Sequence, residues 1–582
     1  MRKEELPRGS EQALKVDLDW REPFEWREPA HWQEGLGNIK ALAHSMLADA
    51  RIHAAKMLIR NRERAQELYH WHDGLHTPPA AEHYRHTYLW DSGFCQIMLA
   101  QAAELAYKSA VHLETRLNSA PLEDRLEIVS AIKQLKDLAE TFQRASVTEG
   151  FSVIKGQKAN GFIPNLQYGE GTLWYEVEQF VSLDKVNKSS NYTQPPVLPL
   201  ATYATYKSMV ETNNPNAKLY LEEMYGSMDK FMRYFHDYRS NSLADKKIGV
   251  IEPHETGLDS LEQWDYIKPH RVERNGVDTP QEVDDRNRFA DGGHFVVRLF
   301  ERYLVAGGDL AKQRQLFWCN DVLINSIYFH NLQVMAKLAA ELGKQDDLEF
   351  YENLANTVEQ QMIDDMWQDD PDKVPMPGFY SLKDNGEPIE TITVSNLMAL
   401  TLPHLPEEKL KAVLNMMDEH FNVPYPLPSG SIKSPNYDPN NQEKDRLWRG
   451  PTWLNTNWYI AEHGLFMQAA RQDISPKLRL RCKAWANRLT QASNELLDMN
   501  EPERRRAQSM GAKVIDIFTK IELEAHHLKE FRTGAYEHYN PHTGEGQRDK
   551  VRNFAWSWLA RFMTLDEDYS QLIREIELSL SA

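Results

Sequence analysis

Apolar residues recur along this chain at steps of three and four. Leu348, Tyr351, Leu354, Val358, Met362 and Met366 form one stripe, and Leu323, Ile327, Val334, Leu338 and Leu342 form another just before it. That spacing places one apolar face on an α-helix. Gly343 separates the two and offers a C-terminal cap, so the pair is expected to be an αα-hairpin. Farther on, Ser475 as N-cap and Pro476 at the first helical position precede the stripe Leu478, Cys482, Trp485, Leu489, Ala492 and Leu496. The stretch "LPEEKLKAVLNMMDEHF", with Pro406 near its start, predicts another helix. Further helices are expected around residues 37–60, 92–116, 121–146, 196–211, 217–238, 291–307, 391–402, 454–471, 505–530 and 550–563.

Alternating strand patterns are scarce and no period of 20 to 50 residues repeats, so the chain reads as all-α and not as a repeat solenoid. The connections are dense in Trp, Tyr, Asn, Pro and Gly: "HYRHTYLWDSGF", "GFIPNLQYGEGTLWY", "NYTQPPVLP", "IEPHETGLDSLEQWDYI", "RLWRGPTWLNTNWY" and "YEHYNPHTGEG". Aromatic rings interleaved with polar partners fit a sugar site, where rings stack on CH faces and hydroxyls need hydrogen-bond partners. Helical hairpins with such loops at one end imply a closed α/α toroid with a cleft there. Residues 1–35, containing "WREPFEWREPAHW", read as an arm packed on a single body spanning 36–582, with loop insertions near 147–195 and 240–292.

The net charge of −19 over 582 residues is spread along the chain. It argues against nucleic acid or an anionic membrane as partner, since both reward a basic face. A neutral substrate is indifferent to that charge, whereas an anionic one requires a local basic pocket. A hydrophobic fraction of 41% supports a large core. Cys95, Cys319 and Cys482 are widely spaced and odd in number, which fits reduced core thiols. No apolar run resembles a signal peptide or a membrane span, so a soluble cytoplasmic protein is expected, with homo-oligomerisation open. His254, His538 and His542 lack metal-ligand spacing and read as structural or supporting histidines. The acidic "NYDPNNQEKD" lacks the EF-hand register. Neither a metal nor a cofactor is expected.

Two carboxylates stand out. Glu537 lies among Tyr536, His538 and Tyr539, before the turn residues Asn540-Pro541 and Thr543-Gly544. Asp259 closes "HETGLD", between a Gly-Leu pair and a Trp-containing turn, the kind of setting that raises a carboxyl pKa. Cleavage of a glycosidic bond uses one protonated and one ionised carboxyl on opposite sides of the sugar. Asp259 suits the acid, and Glu537, beside hydroxyls and turn amides, suits the base.

"HTYLWDSGF", "GFIPN", "TQPP", "ETGLD", "LWRGPTWLNTNW" and "YEHYNPHTGEG" occur in this order between about residues 85 and 560, and together they resemble glycoside hydrolase family 63 and its trehalase-like relatives. The resemblance implies an (α/α)6 barrel and hydrolysis of an α-glycosidic bond with inversion. It places Asp259 as general acid and Glu537 as general base. Tyr88, Trp90, Asp91, Asn165, Gln194, Glu255, Gly257, Trp264, Trp448, Arg449, Gly450, Trp453, Tyr539 and Trp556 are the expected substrate-binding residues. Where family members often carry an Asn-Ser-Pro-like turn after "ETGLD", this chain has Ser260 to Gln263, "SLEQ", before Trp264-Asp265. The expected substrate is a small α-glucoside or α-mannoside such as glucosylglycerate or mannosylglycerate, with Arg85, Arg271 or Arg449 meeting an aglycone carboxylate. An oligosaccharide α-glucosidase is the alternative within the family. A catalytically idle binding barrel and, more weakly, a polysaccharide lyase are the alternatives outside it.

Overall fold

Local chemistry sets the helix boundaries. Helix α1 (Ile39–Leu47) is capped by Asn38, whose Oδ1 accepts from the Ala41 amide at 2.9 Å, and α2 (Ala50–Tyr69) follows at once. The next pair is α3 (Leu89–Arg116) and α4 (Arg125–Ile154), then α5 (Leu198–Glu211) and α6 (Ala217–Tyr234). Helix α7 (Val322–Glu341) is capped by Asp321. Gly343, at φ +67°, turns the chain into α8 (Gln345–Gln361) as its position between two stripes implies. After these come the short α9 (Val394–Leu397), α10 (Glu407–His420), α11 (Leu454–Tyr459), α12 (Phe466–Ala470) and α13 (Pro476–Asn500). The computed structural model describes residues 38–69, 76–81, 84, 86–167, 183–184, 189–190, 192–266, 314–315, 317–441, 447–501 and 533–565. The N-terminal arm, the helices expected over 291–307 and 505–530, and Arg85 and Arg271 lie outside the described residues.

Packing closes these elements into a double ring. Going round the inside, α3 packs on α5, α5 on α7, and α7 on the 3-10 turn Met398–Thr401 that continues α9. That turn meets Ile460–Leu465 between α11 and α12, and α11 meets the 3-10 segment Ala555–Phe562. Ala555–Phe562 returns to α3 and completes the circle. Outside, α4, α6, α8, α13 and α2 each back an inner partner. Helix α10 stands beside α13, joined where Arg481 donates to Asn415 and Asp418 and Trp485 to Asp418. The result is an α/α barrel, its core filled by the facing stripes of the two rings.

The connections entering the inner elements converge on one end of the barrel. Tyr88, Thr393, Trp453 and Phe554 immediately precede α3, α9, α11 and Ala555–Phe562. Isolated β-bridges stitch these connections together: Thr393 to Gly430, Pro428 to Thr452, and Thr452 to Tyr539. A small sheet joins Thr87–Tyr88 to Leu166–Gln167, and through Ser189–Ser190 to Leu183–Asp184.

Three expectations need correction. The helix over 37–60 is two helices, broken at Ala48–Asp49, where Asp49 ties back to Arg51. Helix α4 runs on through Ile154, so the connection expected from about 147 begins after it. The helix over 550–563 is a strand followed by a 3-10 segment: Gly546–Arg552 pairs antiparallel with Tyr536–Tyr539, and only Ala555–Phe562 is helical. Ser475 does precede α13, yet its side chain makes no capping hydrogen bond. Among the described residues no helix is long and apolar enough to cross a membrane.

Two histidines in the inner wall make a testable liability. His330 on α7 bonds the Tyr459 hydroxyl through Nδ1 at 2.6 Å, and its ring lies 4.7 Å from that of His463. Burial and then Lys337 push His330 down to about 3; burial and then His330 push His463 well below its usual value. Both are therefore neutral in the fold, while an unfolded histidine charges below about 6.5. The unfolded chain binds more protons as pH falls through that value, so stability drops by about 1.4 kcal/mol per pH unit for each histidine. Thermal midpoints measured from pH 7 to pH 5 should fall, and His463→Gln should flatten that dependence. An unchanged slope in the variant would refute the assignment.

Candidate active site

Glu537 sits in the strand Tyr536–Tyr539, whose hairpin is turned by Asn540 accepting the His542 and Thr543 amides at 2.8 and 3.0 Å. Its carboxylate is only 3% exposed and accepts the Tyr84 hydroxyl on Oε1 at 2.8 Å. Asp91, in the first turn of α3, is also buried. Burial, and in addition the nearby Glu537 charge, push Asp91 well above the usual carboxylate range.

Asp259 lies on a loop that packs against an aromatic cluster. The 3-10 turn Pro253–Thr256 ends at Gly257, which has φ +71° and lies so close to Trp90 that a Cβ would stand 2.3 Å from the indole. Trp90 meets Trp556 edge-on at 5.5 Å, Trp556 meets Trp453 at 5.7 Å, and Trp453 stacks on Trp448 at 3.9 Å. Trp453 also faces His538, next to Glu537. The loop bearing Asp259 therefore rests on Trp90, and the hairpin bearing Glu537 meets the same cluster at Trp453.

The stretch Ser260 to Gln263 fastens the Asp259 loop to three elements. Ser260 Oγ accepts the Trp448 amide at 3.1 Å. Glu262 accepts Ser434 Oγ at 2.6 Å and Asn436 Nδ2 at 2.8 Å. Gln263 donates to Asp321 Oδ2 at 2.8 Å, at the head of α7. Asp259 itself is left with a third of its side chain exposed. A carboxyl partly open to solvent and a buried carboxyl, carried by segments that share one indole cluster, can divide acid and base roles between them.

The family described as Mannosylglycerate hydrolase MGH1-like glycoside hydrolase domain matches residues 143–557, well over half of the chain. The chain belongs to this glycoside hydrolase family. The mannosylglycerate hydrolase of Rubrobacter radiotolerans is 22% identical over 354 residues, 56% of this chain and 75% of the relative. That of Thermus thermophilus is 25% identical over 341 residues, 54% of this chain and 76% of the relative. The crystal structure of a GH63 mannosylglycerate hydrolase from Thermus thermophilus, in complex with Tris and D-glycerate, aligns with a TM-score of 0.56 at 20% identity. It covers 88% of this chain and 99% of that one, a likeness of fold.

In this glycoside hydrolase the residues singled out from sequence fall into two groups. Trp90, Trp556, Trp453 and Trp448 form one cluster, with Asp91 near Glu537 and Tyr88 edge-on to Tyr84. Gln194 accepts the Trp90 amide, and Asn165 holds α3 through its own backbone to Leu89 and Tyr192. Asn165 Oδ1 and Trp556 Nε1 are buried with no hydrogen-bond partner among the described residues, as pocket groups awaiting a hydroxyl would be.

The other group braces the site through contacts within the chain. Glu255 is fully buried and receives both terminal nitrogens of Arg239, at 2.7 and 2.6 Å, together with the Ile251 and Thr193 amides. Tyr539 is fully buried, its hydroxyl donating to the Gly534 carbonyl and accepting the Tyr536 amide. Trp264 donates its indole N–H to the Leu258 carbonyl at 2.8 Å. Gly450 is a close backbone approach, where a Cβ would stand 2.7 Å from Asp438 and Pro439. Arg449 bonds both oxygens of Asp265 and the Ser260 carbonyl, so its guanidinium clamps the loop that carries Asp259. Sequence reasoning missed Tyr84, although "HYRHTYLW" contains it. It also missed Asn455, whose buried side-chain amide has no partner among the described residues at either end.

Proposed function

We propose that this glycoside hydrolase cleaves the α-glycosidic bond of a small α-mannoside or α-glucoside of glycerate with inversion, using Asp259 as general acid and Glu537 as general base. The observation that supports the reading is that the loop bearing Asp259 and the hairpin bearing Glu537 pack on one tryptophan cluster. The names of the relatives, mannosylglycerate hydrolases, support the substrate class.

Asp259, partly open to solvent, delivers its proton to the leaving glycerate oxygen. Glu537, beside the Tyr84 hydroxyl and buried Asp91, takes a proton from the water that attacks the anomeric carbon from the other face. Inversion requires the two carboxyl groups to stand roughly 6.5–9.5 Å apart, leaving room for that water. Trp90 and Trp556 offer the stacking surface for the sugar, and Asp91 a hydroxyl partner.

An NMR time course on mannosylglycerate, glucosylglycerate, kojibiose, nigerose and trehalose tests this. The β-anomer of the free sugar should appear first from a glycerate glycoside, before mutarotation equilibrates it. First appearance of the α-anomer would sink inversion. Turnover of the disaccharides alone would move the assignment to an oligosaccharide α-glucosidase.

A further inference from the structure

We infer that His254 is the cationic acceptor that selects an aglycone bearing a carboxylate, held in place from behind by Glu252. The inference deepens the proposed function and rests on the role given there to Asp259.

The geometry is a line of three groups. Glu252 is 1% exposed, and its carboxylate binds both the His254 amide, at 2.8 Å, and the His254 ring Nδ1, at 2.9 Å. The opposite ring nitrogen, Nε2, stands 3.7 Å from Asp259 Oδ2. The imidazole is 32% exposed and Asp259 33%, so the side of the ring away from Glu252 shares the open face of the acid. The Tyr192 ring, 5.6 Å away and tilted, lies along another flank.

Charge follows from that line. Burial works against a proton on His254, but the Glu252 and Asp259 carboxylates and the hydrogen bond to Glu252 outweigh it and push the ring up to about 9. Burial pushes Glu252 itself up to about 7, so above that value the pair is a carboxylate and an imidazolium. When Asp259 is protonated its share of that push is gone, and the contact with Glu252 alone holds the proton on the ring. A glycoside linked through the 2-oxygen of glycerate has its carboxylate three bonds from the oxygen that Asp259 protonates, about 3 Å away at ordinary bond lengths. His254 Nε2 lies within a similar radius of Asp259. A carboxylate placed there completes an alternation of carboxylate, imidazolium and carboxylate, with charge-assisted hydrogen bonds on both sides of the ring.

This also meets a requirement raised by the sequence. A chain with net charge −19 must supply a local basic group to take an anion. Arg449, the described arginine expected to do so, bonds both oxygens of Asp265. His254 is the cation that stands beside the acid among the groups described above.

The test compares two leaving groups that differ only in the carboxylate: the α-glycosides of glycerate and of glycerol. Wild-type protein should favour the glycerate compound in kcat/KM. His254→Gln should lower the ratio of the two kcat/KM values by roughly 10–100-fold, the scale of a charge-assisted hydrogen bond. Glu252→Gln, which keeps the ring and removes its anchor, should lower the same ratio less, and circular dichroism establishes that both variants fold. Equal losses on both substrates in His254→Gln would overturn the inference and make the ring a positioning group for Asp259. An unchanged ratio in a folded variant would overturn it as well, as would a wild-type preference for the glycerol compound. Failure of wild-type protein on both compounds would instead end the proposed function and this inference with it, so the two failures are distinguishable.

Discussion

Asp259→Asn and Glu537→Gln should each lower kcat/KM by roughly 10²–10⁴-fold while leaving the melting temperature nearly unchanged, the contribution expected of a positioned acid or base. Each change is nearly isosteric and removes only the ability to give or take a proton. The two should differ in how they respond to the leaving group. Asp259→Asn should recover rate on a glycoside whose leaving group is already acidic, such as a nitrophenyl glycoside, because such a group departs without protonation. Glu537→Gln should recover nothing there, since the attacking water still lacks its base. Steady-state kinetics on natural and activated substrates separate the cases. Recovery in both variants, or in neither, would reassign the roles.

Arg239→Met should destabilise the protein by about 3–5 kcal/mol, the cost of leaving a buried carboxylate without its partner. Arg239 and Glu255 are each almost wholly buried and joined by two short hydrogen bonds. Glu255 also holds the Ile251 and Thr193 amides, so its loss of a counter-charge reaches the loop that carries Asp259. The double variant Arg239→Met, Glu255→Gln should recover much of the stability, because removing both charges also removes the desolvated ion. Thermal unfolding of the two single variants and the double variant closes the cycle. A double variant as unstable as the sum of the singles would show that the pair does not act as a unit.

These predictions also mark what a sequence can disclose. The α7–α8 hairpin was legible because its evidence is local: two stripes and a glycine with φ +67° between them. The Glu537 hairpin was half legible, since Asn540-Pro541 and Thr543-Gly544 announce a turn. Its return strand, "GQRDKVR", is polar and without alternation, so nothing in it distinguished strand from helix. The tryptophans were found because aromatic residues crowd the connections. The bracing role of Glu255 was hidden for a different reason: a carboxylate two residues before a Gly-Leu-Asp run looks like chemistry until Arg239 is seen to bind it. Tyr84 escaped notice because its partner lies 453 positions away, and the hydroxyl of a tyrosine carries no mark of what it will touch. Residue type and order reveal which groups are present near a site. Which of them are already satisfied is decided by packing.

The closure of the ring by Ala555–Phe562 on α3 has a consequence for how the enzyme is born. Its earliest inner helix waits through most of translation for the segment that covers it, and at 5–20 residues per second that interval is roughly 20–90 s. The proposed base, Glu537, arrives in the same late segment, hundreds of residues behind Trp90 and Asp91. A nascent chain therefore acquires its last wall and that carboxyl in one step, and until then it presents an open arc of apolar helices. Ribosome-bound chaperones should meet this protein as a long-lived client, and a chain released before Glu537 would be both uncovered and without its proposed base.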